Sequence, residues 1–129
     1  MMVNGYLIEP ICNLRCAKLE GANLPRQGLW QSSLWKANLK RANLRGAHLG
    51  CAEMAEADLR GADLRGAGLQ NADLGGADLR GADLRHADLR GADLRGADLE
   101  GTILSPDMIA KLRKELSRAK NLDKAILRS

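Results

Sequence analysis

The chain has 129 residues, the length of one domain, and aromatic residues make up 2% of it with no Phe, which excludes a conventional globular core. No run of about 18 apolar residues occurs, which excludes a membrane-spanning helix. The net charge is +4, and the N-terminal sequence lacks the pattern of a signal peptide, so we expect a cytoplasmic protein without a membrane association.

The positive charge is concentrated near the C-terminus. Residues 12–104 contain 13 basic and 12 acidic side chains, whereas residues 105–129 contain seven basic and three acidic ones. The three cysteines, Cys12, Cys16 and Cys51, are an odd number without the spacing of metal ligands. We therefore expect free thiols, no metal site and no cofactor.

The N-terminal segment, residues 1–11, carries the apolar residues Tyr6, Leu7, Ile8 and Ile11. This group predicts a strand or a plug that closes the first coil of the repeating body that follows.

Residues 12–104 repeat with a period of five. Nineteen successive units have an apolar centre, which is Met54 in one unit and Leu in the other eighteen, and Ala stands two residues before the centre in fifteen. In an α-helix the centres would spread around the cylinder by about 140° a step, and in a strand they would alternate faces. They can share one interior only if the chain turns once in every unit. The predicted core leucines are Leu59, Leu64, Leu69, Leu74, Leu79, Leu84, Leu89, Leu94 and Leu99.

The turn is visible in residues 59–62, Leu-Arg-Gly-Ala. A type II turn requires a positive φ at its third residue, which Gly adopts without steric cost. Earlier units place Arg26, Lys36, Arg41 and Glu56 there, which predicts other turn types and less regular opening coils.

The unit A-(D/N)-L-x-x, repeated over residues 12–104, resembles the pentapeptide-repeat family. The resemblance implies an all-β solenoid, namely a right-handed quadrilateral β-helix in which four units form one coil. Nineteen units would then make between four and five coils. The uniform A-D-L-R-G run is similar to that of cyanobacterial members without an assigned biochemical role.

Stacked coils would align residues that are twenty positions apart. Because Asp and Asn occupy parallel outward columns, we interpret the basic columns as a solvated surface; a stripe that contacts phosphate groups is the alternative. Six basic residues fall in two outward columns: Arg45, Arg65 and Arg85 in one, and Lys40, Arg60 and Arg80 in the other.

Residues 105–129 predict a C-terminal α-helical cap. Ser105 suits the N-cap, Pro106 the first helical position, and Asp107 the positive end of the helix dipole. Asn121 predicts the cap of a second short helix. The apolar residues that share one helical face, and would cover the last coil, are Met108, Ile109, Leu112 and Leu116.

The repeat gives no support for catalysis. It contains no nucleophile beside a base, no phosphate-binding loop and no carboxylate pair that stands apart from the repeat, so we expect a protein that is not an enzyme. His48 and His86 replace ordinary repeat residues and are predicted to lie on the surface.

Trp30 and Trp35 each follow a repeat centre and should face outward on adjacent sides. Exposed tryptophans in a chain with so few aromatics indicate a protein-binding patch. The alternative is that both rings fold against the N-terminal segment and Tyr6 and close the first coil. We therefore predict a scaffold with an unidentified protein partner, and a monomer rather than an oligomer.

A second function follows from the resemblance alone. Some pentapeptide-repeat proteins are DNA mimics that bind gyrase, an activity that relies on a long, acidic and usually dimeric rod. The body of this chain is short and nearly neutral, and its tail is basic. A gyrase-directed or nucleic-acid-binding role is therefore the alternative and not the first choice.

Overall fold

Each five-residue unit of the body turns once. In the computed structural model, which describes residues 1–129, the Ala62 N–H donates to the Leu59 carbonyl at 3.0 Å and closes a four-residue turn. Gly61, the third residue of that turn, has a φ of +66°. The same bond follows every centre from Leu14 to Leu99, so the predicted change of direction in every unit is correct.

The expectation of different turns in the opening coils is wrong. Arg26, Lys36, Arg41 and Glu56 have φ values between +56° and +59°, close to those of the glycines. A left-handed conformation costs a non-glycine residue about 1–2 kcal/mol. Bonds to the next coil hold the turn in place despite that cost, as when the Arg26 N–H donates to the Arg45 carbonyl at 2.8 Å.

Units that are twenty residues apart stack in register. Parallel bridges join them once per unit, from Asn13 with Ser33 through to Asp83 with Ile103. Because the pairing recurs after four units and each unit turns once, the body is a four-sided tube. Each side contributes a single bridging residue, so the sides are much shorter than ordinary strands.

The core lies on the axis of this tube. The predicted core leucines, Leu59 to Leu99, are each 0–1% exposed, and the alanines between them are also buried. Ser32 and Thr102, which replace Ala, are buried as well. Their hydroxyls are satisfied, since Ser32 donates to the Glu9 carbonyl at 3.3 Å and Thr102 to the Leu79 carbonyl at 2.6 Å.

The N-terminal segment forms a small hairpin of two antiparallel strands, β1 (Met2–Val3) and β2 (Tyr6–Leu7). Ile8 alone enters the core, at 3% exposure, whereas Leu7 is 49% and Ile11 is 64% exposed. The predicted strand is therefore present at Tyr6 and Leu7, whereas the alternative of a plug is wrong for Leu7 and Ile11. Residues of a strand alternate faces, which turns Leu7 away from Ile8, and Ile11 occupies a turn position with a φ of +60°.

The C-terminal segment begins with β3 (Ile103–Leu104), followed by α1 (Pro106–Lys111) and α2 (Arg113–Leu116). A 3₁₀ turn (Leu122–Lys124) precedes β4 (Ile126–Leu127), which pairs in parallel with β3. The side chains of Met108, Leu112 and Leu116 are buried in the same cluster as the repeat leucines, and Ile109 is half-buried against it. Neither helix has the length or apolar character needed to cross a membrane.

Two details of this segment differ from the prediction. Ser105 stands at the N-cap of α1, but its hydroxyl accepts a bond from the His86 N–H at 3.1 Å instead of bonding to the helix. Asn121 precedes one 3₁₀ turn and not a second α-helix, and its amide donates to Asp98 at 2.9 Å. In both cases the polar side chain forms a hydrogen bond with a group near the end of the tube that has no further coil to pair with. The sequence pattern does not show which groups these are.

Candidate interaction surfaces

Trp30 lies at the N-terminal end of the tube and is 43% exposed. The Ile11 N–H donates to the Trp30 carbonyl at 3.1 Å, so the two residues are neighbours on adjacent coils. The next residue in the Trp30 column is Gly50, which has no side chain to cover the indole ring. Ile11 and Trp30 are thus two exposed apolar residues joined by a backbone bond, and we call them the Ile11–Trp30 patch.

Trp35 is covered to a greater extent. It is half-buried, and two cations lie over its ring: the Arg15 guanidinium at 4.8 Å and the Lys36 ammonium at 4.6 Å from the ring centroid. Such contacts contribute about 0.5–1 kcal/mol each at exposed sites. Tyr6 is half-buried, and its hydroxyl accepts a bond from the Lys18 N–H at 3.1 Å.

The aspartates of the later coils each hold an arginine of their own unit. The Arg65 Nε and Nη2 donate to the two carboxylate oxygens of Asp63 at 2.9 and 2.6 Å, and the Arg65 backbone N–H donates to Asp63 at 3.1 Å. The guanidinium beside Asp63 holds the pKa of that carboxyl below its ordinary value. The same arrangement recurs at Asp58, Asp78, Asp83, Asp88 and Asp93.

The predicted basic columns therefore have unequal partners. Arg60 and Arg80 are paired within their units, and Lys40 lies 3.9 Å from Glu20. Arg65 and Arg85 are paired as well, but Arg45 follows Asn43 and has no carboxylate partner. Two connected openings of about 480 and 350 Å³ lie along this second column. Their lining residues are Pro25, Arg26, Arg45, Gly46, Arg65, Gly66, Arg85 and His86.

The remaining reactive side chains are dispersed. His48 and His86 are exposed, as predicted. Cys16 and Cys51 are exposed and Cys12 is half-buried, with no disulfide among them. No group of three His, Cys, Asp or Glu side chains is placed to hold a metal ion.

Two residues of these surfaces were missed by the sequence interpretation. Ile11 was assigned to the plug, and Arg26 was considered only as an irregular turn residue. A usable signal was present for Arg26, because it aligns with Gly46, Gly66 and His86 at intervals of twenty residues. The same kind of signal was present for Ile11, which falls in the turn slot of the five-residue period together with Cys16, Gly21 and Arg26.

A family model described as pentapeptide repeats matches residues 29–61, 37–71 and 67–105, with eight copies. A solved structure similar to the chain is that of a pentapeptide repeat protein from the thylakoid lumen of Arabidopsis thaliana. It is 35% identical, the match covers 76% of this chain and 72% of that one, and the TM-score is 0.55. The family match and this structure identify the four-sided tube as a right-handed quadrilateral β-helix.

Two structures from Nostoc PCC 7120 are also similar in sequence. One pentapeptide repeat protein is 36% identical, with 90% of this chain and 84% of that one covered and a TM-score of 0.34. HetL, a pentapeptide repeat protein involved in the regulation of heterocyst differentiation, is 28% identical, with 89% and 68% covered and a TM-score of 0.30. Comparison with curated proteins gives no match.

Proposed function

Because this chain belongs to the pentapeptide-repeat family, we propose that it is a non-enzymatic scaffold that binds a protein partner through the Ile11–Trp30 patch. Trp35 forms the edge of this surface, and Arg15 and Lys36 both contact its ring. Tryptophan is enriched among the residues that dominate binding energy at protein interfaces.

The observation that carries the proposal is the conformation of Ile11. It is β-branched, 64% exposed, and held at a φ of +60°. Positive φ is a strained conformation for a β-branched residue, and exposure of its side chain to water provides no compensating burial. Ile11 thus contributes little to the stability of the isolated chain, whereas an exposed aliphatic group beside an exposed indole suits a partner surface.

We also propose a division of the chain that supports this role. Residues 12–104 form between four and five coils, residues 1–11 close the first coil, and residues 105–129 close the last. Support for the closures comes from Ile8 at one end and from Met108, Leu112 and Leu116 at the other, all buried against the repeat leucines.

Quantitative affinity capture from an extract of the source organism tests the proposed function. Trp30→Ala should weaken retention of a specific partner at least about tenfold, as expected for a residue at the centre of an interface. Ile11→Asn should weaken it as well while preserving or raising the melting temperature, because Asn tolerates positive φ.

Arg41→Asn is the matched control, since Arg41 also has positive φ, at +56°, but lies outside the patch. It should retain the partner at the wild-type level. The proposal is wrong if no protein is retained specifically by the wild type, or if both patch variants retain the same proteins as Arg41→Asn does.

A further inference from the structure

The column of Arg45, Arg65 and Arg85 lies beside a turn column that runs Arg26, Gly46, Gly66 and His86. The two columns border the openings described above. Four guanidinium groups line them, whereas the same side of the tube contributes two carboxylates, Asp63 and Asp83, and the Arg85 Nη1 also donates to the Ser129 carbonyl at 3.3 Å. This stretch of surface, which we call the arginine groove, therefore has an excess of positive charge although the repeat body as a whole is nearly neutral.

Two of the four arginines have no acidic partner. Asn43 stands where later coils have Asp, and its amide donates to Asn23 at 3.0 Å, so Arg45 makes only a backbone bond to Asn43. Arg26 follows Pro25 and forms no ion pair. Arg65 and Arg85, in contrast, each bind an aspartate in a two-pronged geometry. The pairing that neutralises other basic columns is thus missing at one end of this groove.

The floor of the groove is open at Gly66. A Cβ at Gly66 would meet nothing within 4 Å, whereas a Cβ at Gly46 would lie 3.2 Å from the Arg26 Cγ, which covers that position. Gly66 also lines both openings, together with Arg45 and Arg65. A ligand seated over Gly66 would therefore be within reach of guanidinium groups from stacked coils.

We propose that the arginine groove binds a compact oligophosphate, an anion with two or three adjacent phosphoryl groups. Arginine guanidinium groups bind phosphate oxygens in a two-pronged manner, and the unpaired Arg26 and Arg45 supply the charge that such a ligand requires. The coils that carry Arg45, Arg65 and Arg85 span two spacings of about 4.8 Å, which gives a site about 10 Å long. That length suits a short phosphate chain.

An extended nucleic-acid backbone fits this surface less well. Beyond the groove the outward columns contain aspartates, including Asp58 and Asp78 on one neighbouring side and Asp88 on the other. A long polyanion would lie against these carboxylates and be repelled by them. A compact ligand would contact only the end of the groove where Arg26 and Arg45 have no acidic partner.

Isothermal titration calorimetry at low ionic strength tests the assignment, with inorganic tripolyphosphate, orthophosphate, citrate and a short single-stranded DNA as probes. Tripolyphosphate should bind saturably with a stoichiometry of one, and more tightly than the other three. Added salt should weaken binding, since the interaction is electrostatic. Absence of saturable tripolyphosphate binding at about 1 mM, or equal binding of citrate, would overturn the proposal.

Paired variants locate the site. Arg45→Gln should weaken tripolyphosphate binding about tenfold or more, because a hydrogen bond to a charged group is lost. Arg113→Gln removes the same charge from α2, which lies against residues 91–95 on another side, and should change binding less than about twofold. Equal losses in the two variants would mean that net charge alone attracts the anion.

A second pair of variants, one test and one control, adds a glutamate and leaves every arginine in place. Gly66→Glu places a carboxylate over the groove in a turn position that Glu56 already occupies elsewhere, at a φ of +59°, and should abolish binding. Gly21→Glu makes the same change at a turn with equally open space and a φ of +67°, on another corner, and should preserve it. If the DNA binds and Gly66→Glu removes that binding while tripolyphosphate has no effect, the groove is a nucleic-acid surface and the compact-ligand proposal is wrong.

Discussion

Leu64 represents what one repeat centre does for the fold. Its side chain is fully buried, and Ala62 beside it is 1% exposed. Burial of a leucine side chain contributes about 1.5–3 kcal/mol, so stacked leucines along a narrow axis can stabilise a chain that has no Phe. Alanine, or a small substitute such as Ser32, suits the position beside the centre because a larger neighbour would overfill the interior.

Truncation of one centre should therefore be costly. We expect Leu64→Ala to lower the free energy of unfolding by about 2–5 kcal/mol, because an enclosed interior cannot collapse around the missing atoms. Leu64→Met should cost less than about 1.5 kcal/mol, since the chain already holds a fully buried Met54 at an equivalent centre. Urea unfolding curves measure both, and equal losses would contradict a tightly packed axis.

At the scale of one side of a coil, the repeating Asp is more than a surface charge. The Asp63 carboxylate accepts the backbone N–H of Arg65, which fixes the chain as it enters the turn, and also binds the Arg65 side chain. It lies 3.1 Å or less from each of these donors. The ion pair between Asp63 and Arg65 and the turn are thus parts of one local structure.

This arrangement has a defined pH dependence. Arg65, which lies beside Asp63, lowers the pKa of that carboxyl below 3.8, so the unfolded chain binds a proton more readily than the folded one. The stabilisation from such pairs should be complete above about pH 4 and be lost as the pH falls through the folded-state pKa values.

Carboxyl NMR titration of the wild type and of Arg65→Gln provides the measurement. The substitution should raise the pKa of Asp63 toward 3.8 and leave the pKa of Asp93, paired with Arg95 on another side, below its ordinary value. An unchanged Asp63 titration would show that the guanidinium is not the cause.

For the whole molecule, the structure of the C-terminal end determines how much of the last coil's ladder edge is open. The C-terminal segment continues the ladder on two sides, where Lys120 bridges to Asp98 and β4 pairs with β3. On the other two sides α1 and α2 take the place of the next units, and the Glu115 carboxylate accepts the Gly91 N–H at 2.9 Å. Open ladder edges invite association, and these contacts support the proposal that the segment closes the last coil.

Disruption of the helical part should expose the last coil. We expect Leu112→Asp/Leu116→Asp to destabilise the chain by about 3 kcal/mol or more and to produce oligomers, because charges replace buried leucines. Ile126→Asp/Leu127→Asp is the control, as these residues are 41% and 54% exposed. Size-exclusion chromatography with light scattering tests this, and a wild-type mass for both variants would contradict it.

The features that the sequence predicts best are those that every unit repeats. The period alone places Leu64 inside and Arg65 outside, because any other arrangement would scatter the leucines. The ends are different, since each residue there occurs once and its role depends on which backbone groups the adjacent coil leaves unpaired. Helix-cap rules place Ser105 correctly at the N-cap of α1, but they do not predict that its hydroxyl bonds to the His86 N–H.

The candidate surfaces follow the same division. The columns of arginines were predictable. The replacement of Asp by Asn43 leaves Arg45 without an acidic partner, and only the structure shows that the unpaired Arg26 and Arg45 line the same opening. Similarly, Trp30 was predicted to face outward, and the period also places Ile11 in an outward turn slot, although its residue type disfavours the positive φ found there.

Because four units make one coil, the number of units determines how the two ends of the tube are rotated relative to each other about its axis. Adding one unit would rotate all later residues by a quarter of a revolution about the axis. Adding four units would preserve the orientation of those residues and move them by about 4.8 Å along the axis. The angle between the Ile11–Trp30 patch and the α1–α2 face is therefore set by how many units separate them. Such a chain can acquire a new relative orientation of its two ends by duplication or loss of five residues, with no change to its interior packing.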